Sequence, residues 1–236
     1  MALVTPKVSK LSSNDPTSSL TAALTHFEVT LNEDHKTLYH AATTKPDALS
    51  VISFVGKLGE TARGKSRRGV SARLVTFLDT LQQFSGVVDT FVNSDPTIAA
   101  LVWGGVRMTI LAVSNISSSF GKVTNVIMEV GKFCPAYTSF AHLYPTSVEL
   151  QNALCKYYAC VIRLCTKIIT ILQRSTVLHA LSTVISPFES EFSDDVAQLR
   201  QAAEFVKLQC IHSAYKAAAQ AEEQAAEERR TNKTFR

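Results

Sequence analysis

An all-α fold, a bundle of long antiparallel helices with a protruding C-terminal helix, follows from three features of the sequence. Apolar residues recur at spacings of three and four along five stretches. Glycine (nine) and proline (seven) are few in 236 residues and scarce inside those stretches. Helix starts are marked by a capping residue before a proline, or by a hydroxyl residue three positions before a glutamate. A 4-3-4-3 alternation keeps one helix face apolar over many turns, and such faces shared among long antiparallel helices build a bundle core. The scarcity of turn residues excludes a β-sandwich or barrel; with 46% hydrophobic residues it also excludes a disordered chain.

The elements follow in order. Residues 1–15 are expected to be a flexible N-terminus, 16–212 the helical bundle domain, and 213–236 an exposed helical linker or tail. Asp15-Pro16, Asp95-Pro96 and Ser186-Pro187 each place an N-cap before a proline at the first helical position. Thr146-x-x-Glu149 and Ser186-x-x-Glu189 have the form of capping boxes. The first apolar stripe is Leu20, Leu24, Phe27, Leu31, Leu38, and a shorter helix is expected over residues 47–58. Next comes Leu74, Leu78, Leu81, Phe84, Val88, Phe91. A long stripe runs Val102, Val106, Ile110, Val113, Ile116, Phe120, Val123, Ile127, Val130. The cleanest is Leu150, Leu154, Tyr157, Val161, Leu164, Ile168, Ile171; the last is Phe192, Val196, Leu199, Ala203, Val206, Cys210. Between them lie a Gly- and Arg-rich loop at 56–71, an aromatic connector at 134–145 and a turn at 182–187. From Lys216 onward the segment KAAAQAEEQAAEERR is rich in helix formers and has no apolar stripe, so it should leave the domain as an exposed helix.

The first 19 residues have no apolar core of a secretory signal. The best apolar run, 101–113, is shorter than the roughly 18 residues of a membrane span and carries Arg107. Five cysteines, Cys134, Cys155, Cys160, Cys165 and Cys210, form no C-x-x-C pair, and three lie on one apolar helix. Reduced, buried thiols and a cytoplasmic location are the expectation, with recruitment to a membrane surface as an option.

The sharpest formal motif is Gly59-x-x-x-x-Gly64-Lys65-Ser66, which satisfies the P-loop pattern. Its chemistry would be backbone amides around phosphates, Lys65 on the terminal phosphates and Ser66 on magnesium. A P-loop sits between a strand and a helix at a parallel sheet, and no βαβ alternation surrounds this one. The reading preferred here is a basic loop, and no cofactor is expected. Lys57, Arg63, Lys65, Arg67, Arg68 and Arg73 fall within 17 residues, opposed by Glu60 alone. Such a cluster suits an anionic lipid surface or an acidic partner at about 1 kcal/mol per basic residue. It holds no aromatic on which a base would stack, and the net charge of +4 is mild, so nucleic acid is not the expected partner.

No catalytic constellation is present. His35 and His40 lie five apart and do not share a helix face. Cys155, Cys160 and Cys165 also step by five, with no His at ligand spacing, so neither a metal nor a nucleophilic thiol is expected. Glu33-Asp34 and Asp194-Asp195 are expected at helix starts or on polar faces, where acidic residues complement the dipole. Trp103-Gly104-Gly105 is unusual: two glycines inside a helix cost roughly 1 kcal/mol each against alanine. They imply either close approach of a neighbouring helix or a hinge. Val102 and Val106 are assigned to the core, which puts Gly105 beside that face and Gly104 roughly opposite it.

The runs Leu81-Gln-Gln-Phe-Ser-Gly-Val-Val-Asp-Thr-Phe91, Ile98-Ala-Ala-Leu-Val-Trp-Gly-Gly-Val-Arg107 and Val113-Ser-Asn115 resemble a helical domain near the N-terminus of many fungal NACHT-type, NLR-like (STAND) proteins. Tyr144-Pro-Thr-Ser147, Leu150-Gln-x-Ala-Leu154, Tyr157-Tyr158, Arg163-Leu-Cys165 and Pro187-Phe-x-x-Glu-Phe192 continue the resemblance, which covers about residues 70–210. In such proteins the module precedes a P-loop domain and then repeats. The resemblance therefore implies an isolated N-terminal module or a short stand-alone relative. It carries no catalytic residues and adds nothing to Gly59–Ser66. It implies a non-enzymatic signalling or effector role in regulated cell death or innate immunity, with self-association or a downstream receptor domain as partner. The alternative is a passive protein–protein interaction scaffold without a membrane step; a P-loop nucleotide binder ranks third.

Overall fold

The computed structural model describes residues 17–42, 53, 96–114, 147–178 and 191–234. Among these the structure has five helices and no strand: α1 (Ser18–Thr30), α2 (Glu33–Ala42), α3 (Pro96–Ser114), α4 (Val148–Leu178) and α5 (Ser193–Thr234). They share one apolar core. α4 is its hub and packs on α1, α3 and α5; α3 also touches α1 and α2.

The first apolar stripe is two helices rather than one. Leu20, Leu24 and Phe27 are buried on α1, but Leu31 is extended and its N–H turns back to the Glu28 carbonyl at 3.2 Å. Its side chain still reaches the core, so the corner forms without exposing it. The Asn32 side chain then accepts the His35 N–H at 2.8 Å and starts α2, with Glu33 and Asp34 in the first turn. Tyr39 is the buried aromatic of α2. Its hydroxyl donates to the Leu101 carbonyl at 3.2 Å, and its ring meets Phe27 edge-on at 5.5 Å. Burial, then the nearby Glu28 charge, pushes this phenol well above its ordinary pKa. The α1 start also differs from the expectation at Asp15-Pro16. Helix begins at Ser18 behind Thr17, whose carbonyl takes the Thr21 N–H at 2.9 Å.

α3 begins at Pro96, as its proline predicts. It is enclosed on nearly every side: Val102, Trp103, Gly104, Gly105, Val106, Met108, Thr109, Ile110 and Ala112 are all buried. The placement of Gly104 on a freer face is therefore corrected. A helix apolar nearly all round is a central helix, and the level of the two glycines leaves no side for solvent.

The α4 stripe is as read: Leu150, Leu154, Tyr157, Val161, Leu164 and Ile168 are buried, and Ile171 packs at the edge. Ala153, Tyr158, Ala159, Ile162, Cys165 and Ile169 widen it, because three helices surround α4. Its cap is one residue later than Thr146. Ser147 Oγ accepts the Leu150 N–H at 3.2 Å and donates to Glu149 Oε2 at 3.4 Å. α4 and α5 run antiparallel: Ser147 meets Ser213, Lys156 meets Phe205 and Lys167 meets Asp195.

α5 is 42 residues, about 63 Å of continuous helix at 1.5 Å per residue. Phe192, Leu199, Ala203, Val206 and Cys210 are buried, with Val196 at the edge of the core. Packing extends past the expected boundary at 212, through Ser213, Ala214 and Ala217. Beyond that the helix is exposed apart from a half-buried Ala225. The expected elements at 1–15, 56–71, 74–91, 115–130, 134–145 and 182–187 lie outside the described residues, as does the expected helix at 47–58 apart from helical residue 53.

Candidate functional site

Trp103-Gly104-Gly105 sits where α3 crosses α1 and α4. A Cβ built on Gly105 would lie 3.0 Å from Ile162 Cδ1, and 3.6 and 3.7 Å from Cε1 and Cζ of Phe27. Both neighbours are fully buried. Gly105 thus admits the close approach of two helices, which is the packing reading of the motif. The crossing also holds polar groups turned inward. The Thr109 hydroxyl donates to the Gly105 carbonyl at 2.9 Å, and the Thr166 hydroxyl to the Ile162 carbonyl at 2.9 Å. Each is bonded to its own helix, so neither hydroxyl is an orphan donor in the core.

The second cluster joins α4 to α5. Ser213 Oγ donates to Ser147 Oγ at 2.8 Å, so the α4 cap is also a tertiary contact. The backbone amide of Glu149, the Lys216 ammonium and the Ser147 hydroxyl hold the exposed Glu149 carboxyl below its usual range. At the other end Lys167 pairs with Asp195 and lies over the Phe192 ring at 5.6 Å. Asp195 with Asp194 occupies the first turn of α5, where the dipole favours negative charge.

The thiols are core groups. Cys155, Cys165 and Cys210 are buried and Cys160 is half-buried; all four are free. Burial pushes Cys165 up to about 11 against the pull of the Thr109 hydroxyl beside it, and pushes Cys210 up to about 11. Such thiols are protonated at neutral pH and are poor nucleophiles. Among the described residues no group of three or more His, Cys, Asp or Glu is placed to hold a metal. Among them, too, no helix is long and apolar enough to cross a membrane.

One feature escaped the sequence reading. α5 carries large apolar residues on its solvent side: Phe205 is 42% exposed, Leu208 60%, Ile211 40% and Tyr215 74%. The spacing of three, three and four was visible, but the helix was assigned a single face. The basic run Lys57, Arg63, Lys65, Arg67, Arg68, Arg73 and the P-loop-like Gly59, Gly64, Lys65, Ser66 lie outside the described residues.

These contacts define an all-α bundle whose notable features are packing and contact faces. Residues 72–222, well over half of the chain, match the family described as "Domain of unknown function (DUF7708)", and the chain belongs to that family. The matched range spans α3, α4 and α5 as far as the start of the exposed tail. No curated protein and no solved structure matches the chain.

Proposed function

We propose that this chain is a non-enzymatic signalling or effector module of a fungal NLR-like receptor system, working through contacts made by helix faces. The observation that carries the reading is α5. One helix is anchored in the core from Phe192 to Ala217 and then continues as an exposed arm, while its outer face presents large apolar side chains. That is the build of a domain that transmits or receives a contact along a rigid rod. The resemblance of residues 70–210 to N-terminal modules of NACHT-type proteins supports the same reading. Self-association is the mode of action proposed, with regulated cell death or innate immunity as the setting.

The test is expression of the tagged chain in a yeast or filamentous fungus, with an inducible dimeriser. Clustering and loss of viability on dimerisation are expected. Diffuse signal and unaltered growth under forced dimerisation would refute the effector role. Engagement of a membrane by the basic run is a separate part of the proposal. Sedimentation with anionic liposomes that is abolished by reversing Arg63, Lys65, Arg67 and Arg68 to Glu supports it. No sedimentation leaves the scaffold reading, which the exposed α5 face favours.

A further inference from the structure

We propose that the outward face of α5 is a homotypic interface on which a second copy of this chain docks antiparallel, centred near Ile211 and His212. The inference rests on the reading of the chain as a self-associating module and names the surface and orientation that do it.

At 100° per residue, Phe205, Leu208, Ile211 and Tyr215 fall within roughly 80° of arc, almost opposite the core stripe of the same helix. Their exposure is too large and too contiguous for scattered surface apolars. Ala219 and Ala226 continue the stripe down the arm with small side chains that allow close approach. Among the described residues the same domain sets Lys156 at the edge of this face, its ammonium 5.9 Å from the Phe205 ring.

Charge selects the occupant. In an antiparallel pair centred at 211–212, Arg200 of one copy faces Glu222 of the other, and Asp194 faces Arg230. Each pair flanks the apolar seam on one side and is opposite in sign. A parallel pair would set every one of these residues against its own copy. Two lysines nearer the centre are balanced within the protomer: Lys207 lies 3.8 Å from Glu204, and Lys216 lies beside Glu149. The four large side chains expose roughly 400 Å² together, about half of what each partner buries in a standard interface. The alanine stretch and the flanking pairs add to it, so the dimer forms at a concentration on the order of tens of micromolar.

Sedimentation equilibrium of the full chain from about 1 to 200 µM reads this directly. A reversible monomer–dimer equilibrium is expected. Leu208→Glu, at an exposed position, should weaken it at least about tenfold with unchanged helical dichroism and melting. Arg200→Glu and Glu222→Arg should each weaken it, and the double variant should recover it. His212→Cys should cross-link on mild oxidation above the wild-type background, while Ala226→Cys should not. A wild-type chain that stays monomeric throughout overturns the proposal. So does a dimer indifferent to Leu208→Glu, although self-association itself then survives. Equal cross-linking at 212 and 226 overturns the antiparallel arrangement. Forced dimerisation in cells bypasses this surface, so a failure there counts against the signalling role and leaves the interface standing.

Discussion

Gly105→Ala tests the crossing of α1, α3 and α4. Two effects oppose each other. Alanine in a helix interior gains roughly 1 kcal/mol over glycine. The new methyl, however, arrives 3.0 Å from Ile162 Cδ1, while its distances to the Phe27 ring, 3.6 and 3.7 Å, are ordinary contact. The strain therefore falls on one atom. Ile162 must give by a few tenths of an ångström, and it is wholly buried among its neighbours. Overpacking of this kind costs about 1–3 kcal/mol. The net expectation is a loss of about 0–2 kcal/mol, with overpacking winning.

A thermodynamic cycle isolates the cause. Ile162→Val deletes Cδ1 and by itself should cost about 0.5–1.5 kcal/mol. With that atom gone, the methyl added by Gly105→Ala keeps only its ordinary contacts with Phe27, and the substitution should express its helix preference. Urea midpoints of the wild type, both single variants and the double variant should show a favourable coupling of about 1–3 kcal/mol. Additivity within about 0.5 kcal/mol would refute the reasoning, because separable sites behave that way. Stabilisation by Gly105→Ala in both backgrounds would do the same, and would return the motif to the hinge reading.

Two further outcomes are expected. Ser147→Ala removes the α4 cap and strands the Ser213 hydroxyl; it should cost about 1–2 kcal/mol in urea unfolding, with less than additive loss on combination with Ser213→Ala. Cys165 and Cys210, both pushed up to about 11, are protonated in the folded chain where the unfolded chain ionises near 9. At such pH the folded chain binds more protons than the unfolded one, so the urea midpoint should be flat below about pH 8 and fall as pH rises from about 9 to 11. Replacing both with Ala should flatten that fall, and a Cys-directed colorimetric reagent at about pH 8 should modify them only on unfolding.

What the sequence made legible is what one face of one helix decides. The α4 stripe repeats without interruption, and every member from Leu150 to Ile168 is buried. The α5 core stripe is equally plain. The misreadings arise where a second partner matters. The cap of α4 moves from Thr146 to Ser147 because Ser213 of α5 also bonds that hydroxyl; local pattern offers two adjacent hydroxyls and no means to choose. Gly104 is buried because α3 is enclosed on all sides at that level, and Arg107 was the lone charged residue along 96–114 that hinted at an outer edge. The α1–α2 corner was marked by the seven-residue gap from Leu31 to Leu38 and by Asn32 between them. The glycine contact was legible as a need for space, but its neighbours Phe27 and Ile162, 78 and 57 residues away, were not.

The orientation of the α5 pairing has a consequence for signalling geometry. In a parallel pair the two exposed arms would run side by side and bring their ends together. In the antiparallel pair centred at 211–212 each arm leaves in the opposite direction. With 1.5 Å per residue, the two copies of Thr234 then stand roughly 70 Å apart. Pairing through α5 would therefore space the arms while leaving the other faces of both bundles open. Clustering of many copies would need a second contact elsewhere on the bundle, because a two-fold interface satisfies itself and closes at the dimer. The dimer and the cluster are thus separable states, and Leu208→Glu should remove the first without altering the second when clustering is forced by a dimeriser.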